Sequence, residues 1–232
     1  KKGLSLIPQI TLDILNRVNK QPWRLNISTD DISQYLGDDA IREMLGYEFN
    51  LDRLIAPLRI IAEGQNAQID RDLAAMREFA VLARENGDFY LTTEVWRNHR
   101  VGISNIINPQ ASKMHRNWIH SKAWETEIDI SENADLTEFL LCVGAGFDIT
   151  AEKQYKEEAV KAVLNKLAEP EIAKAIQAIR DIRADTTNEQ TMGDIIAGVL
   201  AGKHGMHTFN TLVTYAEYLN AVKAGETKFT HA

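Results

Sequence analysis

Residues 88–116 read DFYLTTEVWRNHRVGISNIINPQASKMHR, and the fold turns on how this stretch divides. Phe89 to Val95 is rich in aromatic and β-branched residues and reads as an extended run; Val101 to Ile107 is a second. Asn108-Pro109-Gln110 stops the second run, because proline lacks a ladder donor and restricts the residue before it. After this turn Ser112 is suited to cap a helix carrying Lys113, Met114, Arg116, Asn117 and His120. The expected local structure is a strand pair with Arg97 to Arg100 at its bend, feeding a short basic helix. Arg100 and Arg116 would then face one ligand from two elements.

Charge marks the same stretch. The chain has a formal charge of −7, yet no acidic residue lies between Val95 and Trp124. Within that window fall Arg97, Arg100, Lys113, Arg116 and Lys122, with His99, His115 and His120 among them. Trp96 and Trp118 lie inside it and Trp124 closes it. Cations interleaved with flat rings are what a polyanion-tracking surface needs. A solvated basic face on an ordinary core is the plainer alternative.

Working outward, 232 residues suffice for one sizeable core or two small ones. Hydrophobic content of 44% and charged content of 25% are those of a globular protein, and no apolar run approaches membrane-spanning length. A start at Lys1-Lys2-Gly3, without methionine, leads us to expect a piece of something longer. The acidic balance argues against a free-standing DNA coater but permits a local basic groove. A single cysteine, Cys142, excludes an intrachain disulfide framework and reads as a small buried hydrophobe.

Helical spacing marks residues 8–18, and Gln21-Pro22-Trp23 breaks it. Ser28 to Leu36 is a second helix, ended by Gly37. Asn50 is placed to cap LDRLIAPLRIIAEG, in which Pro57 is expected to kink the helix and Gly64 to interrupt it; another helix follows from Gln65 to Glu85. In the second half, helices are expected over residues 136–145, from a Thr150 cap through Leu167, from Glu169-Pro170 to Arg183, and over 192–201 and 208–222. Asp185 to Asn188 reads as a polar loop, and the chain turns extended from Lys228. The fold class is mainly α with a small antiparallel β element.

Other chemistries find little support. His115 and His120 are five apart, not the four that puts two imidazoles on one helical face for zinc. His204 and His207, beside Lys203, lack a nearby carboxylate, and surface histidines are the plainer account. No Gly-x-Ser-x-Gly or Cys/His pairing offers a nucleophile. Asp30-Asp31 and Asp38-Asp39 fall at helix starts, where carboxylates stabilise the dipole.

Arg100-Val101 followed by Asn108-Pro109-Gln110 resembles the start of the palm in single-subunit, phage-type DNA-directed RNA polymerases, most closely the branch packaged in the virions of tailed phages. That family has a Thr/Asp-x-x-Gly-Arg motif, an Asn-Pro-Gln turn and a basic residue in the next helix. Here Arg100 stands eight residues before Asn108, and Arg116 eight after it. IDISENADLTEFLLCVGAGFDI, LNKLAEPEIAKAI and YAEYLNAVKAGETKFTHA are similar in order and distance to the virion branch. The resemblance covers residues 50–232, and more faintly those before. Two registers are open. In the first, Arg100 is the motif arginine, with Trp96 at the Thr/Asp position and His99 at the glycine. In the second, His99-Arg100-Val101-Gly102 aligns with Thr-Arg-Val-Gly and Ile103 stands at the arginine position. The first keeps both basic positions.

The resemblance implies an α+β thumb and palm segment: a helical region over 1–49, a thumb-like helical hairpin over 50–87, and a first palm segment with a helical insertion over 88–232. It implies Arg97, Arg100, Lys113 and Arg116 as contacts to the DNA template or RNA–DNA hybrid. Partners would be nucleic acid, nucleoside triphosphates and the remaining polymerase domains, in the phage virion and then in the host cytoplasm after ejection. The complete enzyme would use Mg2+ held by two palm aspartates. The first of these is expected just beyond Ala232, so no metal is expected on this chain and no catalysis from it alone. The competing reading is a non-catalytic virion or ejection protein whose basic strip meets DNA or protein.

Overall fold

The computed structural model describes residues 9–96, 100–149, 155–184, 189–200 and 205–231. The chain forms two compact units. One comprises the chain up to Asn26 together with Arg71–Glu125; the other comprises Ile27–Asp70 and Thr126–His231.

The first unit starts with α1 (Gln9–Val18) and β1 (Pro22–Leu25). It continues through the second half of α4 (Ala56–Asn86) into β2 (Phe89–Tyr90), β3 (Thr93–Val95) and β4 (Val101–Ile103). Helix α5 (Lys113–Trp118) and β5 (Ile119–Ser121) complete it. The strands make a three-stranded antiparallel sheet in the order β2-β1-β5 and a separate β3-β4 hairpin. The run expected as one strand from Phe89 therefore divides between two sheets, β2 pairing with β1 and β3 with β4. Strand β1 lies where only a helix break was expected; proline is tolerated at a strand's first residue, and Pro22 occupies that place. Trp118, Met114, Ile119, Leu25, Met76 and Leu73 are buried in this unit.

The expected helix pair over 50–87 is instead one helix, α4, continuous from Ala56 to Asn86. Pro57 falls in its first turn, where the missing N–H has no intrahelical partner to lose. A lone exposed Gly64 costs about 1 kcal/mol without breaking a long helix.

The second unit holds α2 (Ile27–Leu36), α3 (Asp38–Leu45) and the first half of α4. It then takes β6 (Thr126–Asp129), α6 (Asn133–Ala145), α7 (Lys156–Leu167), α8 (Pro170–Arg183), α9 (Glu189–Val199), α10 (Gly205–Ala224) and β7 (Lys228–His231). Pro170 is the first residue of α8, as a proline start requires. Helices α2 and α9 approach so closely that a Cβ on Gly193 would collide with the Tyr35 carbonyl oxygen. Arg183 of α8 reaches Asp31 of α2 at 2.8 Å and Glu217 of α10 at 3.0 Å. Strands β6 and β7 pair antiparallel, and Phe229 of β7 lies 5.7 Å from Phe139 of α6 and 5.9 Å from Tyr218 of α10. Cys142 is exposed, not buried as expected. Phe139, Leu140, Val143 and Gly144 are the buried residues of α6, and position 142 falls off their face. Thr150 and residues 185–188, expected as a cap and a loop, lie outside the described residues.

Candidate nucleic-acid interface

The site is built on the β3-β4 hairpin, where Thr93 pairs with Ile103, Glu94 with Gly102 and Val95 with Val101. Its tip is closed by a hydrogen bond from Trp96 N–H to the Arg100 carbonyl at 2.8 Å. At the other end, Asn19, just past α1, holds Thr93 by both backbone groups: its Oδ1 accepts from Thr93 N–H at 2.6 Å and its Nδ2 donates to Thr93 O at 3.3 Å.

Asn108-Pro109-Gln110 does more than stop a strand. Asn108 Nδ2 donates to the Ile103 carbonyl at 2.7 Å, and Gln110 Oε1 accepts from Ile103 N–H at 3.0 Å. Asn108 Oδ1 accepts from Gln110 N–H at 2.9 Å and Ala111 N–H at 3.3 Å. Asn108's own N–H donates to His115 Nδ1 at 3.0 Å, and His115 is 1% exposed. The turn thus clamps the end of β4 to the first turn of α5. Ser112 caps α5 as expected, accepting from His115 N–H, though at a long 3.5 Å.

On this clamped strand–turn–helix, Arg100 and Lys113 are exposed. Arg116 is exposed as well, with its fork oriented by an Nε bond to the Pro109 carbonyl at 3.0 Å. Arg97 and His99 lie outside the described residues. His120 is not on the helix: α5 ends at Trp118, and His120 sits in β5 opposite Arg24. Ile119 to Ser121 have a strand, β1, to pair with, and that pairing overrides helical continuation.

The basic run is also less uniform than its sequence. Lys122 Nζ lies 2.8 Å from Asp88, and His120 Nε2 lies 3.1 Å from Glu125. Arg24 joins the two carboxylates, 2.6 Å from Asp88 and 3.0 Å from Glu125. Beside them Trp23 and Trp124 meet edge to face at 5.6 Å. Lys122 and His120 are therefore matched locally by Asp88 and Glu125. Lys122 and then Arg24 hold the Asp88 carboxyl below the usual range. At Glu125 burial pushes upward, but His120 and Arg24 outweigh it and the net shift is down. Depressed carboxyl values give stability that is complete above the unfolded values, near pH 4, and is lost as pH falls through the folded ones. Acid titration followed by tryptophan emission should show the first unit loosening below about pH 4. An Asp88→Asn/Glu125→Gln variant with an unchanged acid midpoint would remove this network as the cause.

Residues 11–119 match the model of a virion DNA-directed RNA polymerase domain, and residues 135–219 match the model of the plug insertion of the virion DNA-directed RNA polymerase. The chain belongs to the virion DNA-directed RNA polymerase family. The two matches meet the structure in order: the first runs from α1 to the end of α5 and contains the clamped hairpin. The plug match runs from α6 into α10. No curated protein matches the chain. As part of such a polymerase, the chain has nucleic acid and other polymerase segments as its partners in general, and the virion as its location. Among the described residues no helix is long and apolar enough to cross a membrane.

Among the described residues no three His, Cys, Asp or Glu side chains converge as a metal site. No catalytic step is assigned to them.

Proposed function

We propose that this polymerase segment contacts the DNA template or RNA–DNA hybrid through Arg100, Lys113 and Arg116, with Arg97 as a supporting phosphate ligand. The observation that carries the reading is the clamp. Asn108 and Gln110 fasten β4 to the turn, and the turn orients Arg116, so the cations sit on one hydrogen-bonded piece. Preorganised guanidinium groups suit phosphate, because the planar fork gives two parallel charge-assisted bonds. Ile103 is 6% exposed with both backbone groups engaged, which supports the register that puts Arg100, not Ile103, at the contact.

In this reading residues 88–232 form the first palm segment, interrupted by the plug, and α4 belongs to the thumb. The complete enzyme joins nucleotides with Mg2+ held by residues other than these, in the host cytoplasm after ejection. The chain alone binds nucleic acid without incorporating nucleotides. In the complete polymerase, Arg100→Ala should lower run-off transcription and template retention together, with folding stability little changed. Arg100→Lys should restore only part of the loss, since it keeps the charge without the fork. Full run-off from Arg100→Ala would end the assignment of this residue.

A further inference from the structure

Strand register puts four residues of the hairpin, Trp96, Arg100, Gly102 and Glu94, on one face. Trp96 and Arg100 face each other across the closing hydrogen bond, and Gly102 follows Arg100 by two. The Trp96 ring folds back along the hairpin onto Gly102, so closely that a Cβ there would collide with its benzo ring. Gly102 is buried, while Trp96 is 43% exposed. One face of the indole is therefore seated on backbone, and the remainder is open to solvent beside an arginine. Glu94, opposite Gly102, is the acidic residue on this face.

We infer that Trp96 is a stacking platform for an unpaired nucleobase, belonging to the same strand whose phosphate Arg100 contacts. The inference rests on the nucleic-acid contact proposed above. A ring already seated on Gly102 loses little freedom when a base covers it. A flat ring accepts any base, because every base presents a π face. A base held in a duplex has both faces covered by its neighbours, so the platform selects single-stranded segments. Glu94 repels phosphate from its own end of the face, which leaves the Arg100 end for the backbone.

The test compares oligo-dT with an abasic strand of the same length, each titrated onto the 232-residue chain at several salt concentrations. The wild-type chain should bind oligo-dT about tenfold or more tighter than the abasic strand. Trp96→Leu should bind both strands alike, with its salt dependence unchanged. Trp96→Phe should keep part of the preference, and Gly102→Ala, which unseats the ring, should lose it. An oligoribonucleotide arm distinguishes RNA from DNA as the source of the base. If wild type shows no base preference, or Trp96→Leu keeps the full preference, the platform is wrong while the phosphate contact stands. If wild type binds neither strand in a salt-dependent way, the proposed contact fails and the platform with it.

Discussion

Trp118→Ala should unfold the first unit's core at a cost of about 3–5 kcal/mol. Trp118 is fully buried and ends α5, and its carbonyl accepts from Asn26 N–H at 2.7 Å. The next residue, Ile119, is 2% exposed and pairs with Leu25 of β1. Truncation therefore opens a cavity where the helix hands over to the sheet, and the surroundings are held by two further strands that cannot collapse into it. A loss of that size is a large part of the stability of a small unit. Hydrogen exchange is the measurement: amides of β1, β5 and α5 should lose protection, while those of α8 and α10, whose core is separate, should keep theirs. Equal loss in both sets would contradict the division into two units.

Asn108→Ala should be the most damaging single change in the turn, at about 2–3 kcal/mol. It removes the donor to the Ile103 carbonyl and the acceptor for Gln110 and Ala111 N–H. Ile103 is buried, so water does not readily replace the lost partner. Asn108→Asp is the sharper probe. It keeps the acceptor for the two N–H groups but turns a carboxylate oxygen toward the Ile103 carbonyl, so it should be no better than alanine. Chemical denaturation of both variants checks this. An Asn108→Asp chain as stable as wild type would mean that the bond to Ile103 contributes nothing.

The sequence made some of this legible and hid the rest for physical reasons. Helix positions were readable where local signals agreed: Pro170 at the start of α8, and the acidic pair Asp38 and Asp39 in the first turn of α3. Burial was less readable. Ile10 and Ile14 keep helical spacing, yet they are 69% and 53% exposed, and Leu15 is the buried residue of α1. Short strands were hidden because β1, β5 and β6 exist only through partners distant in sequence, and nothing local announces a three- or four-residue strand. The site shows the same split. The exposed cations and the Asn-Pro-Gln turn were visible, but their hydrogen bonds to Ile103 and His115 were not. Asp88, a few residues before the basic run, and Glu125, directly after it, were the available sign that part of its charge would be matched at home. Trp96 was counted among the aromatics, but its seat on Gly102 depends on hairpin register.

The most direct test of the central claim is the affinity of the chain for an RNA–DNA hybrid as salt is raised. If Arg100, Lys113 and Arg116 contact phosphates, log affinity should fall linearly with log salt, and each replacement by alanine should reduce the slope by roughly one. Lys122→Ala, which removes a cation already matched by Asp88, should leave the slope nearly unchanged. Affinity indifferent to salt, or a slope that Lys122→Ala reduces as much as Arg100→Ala does, would contradict the account.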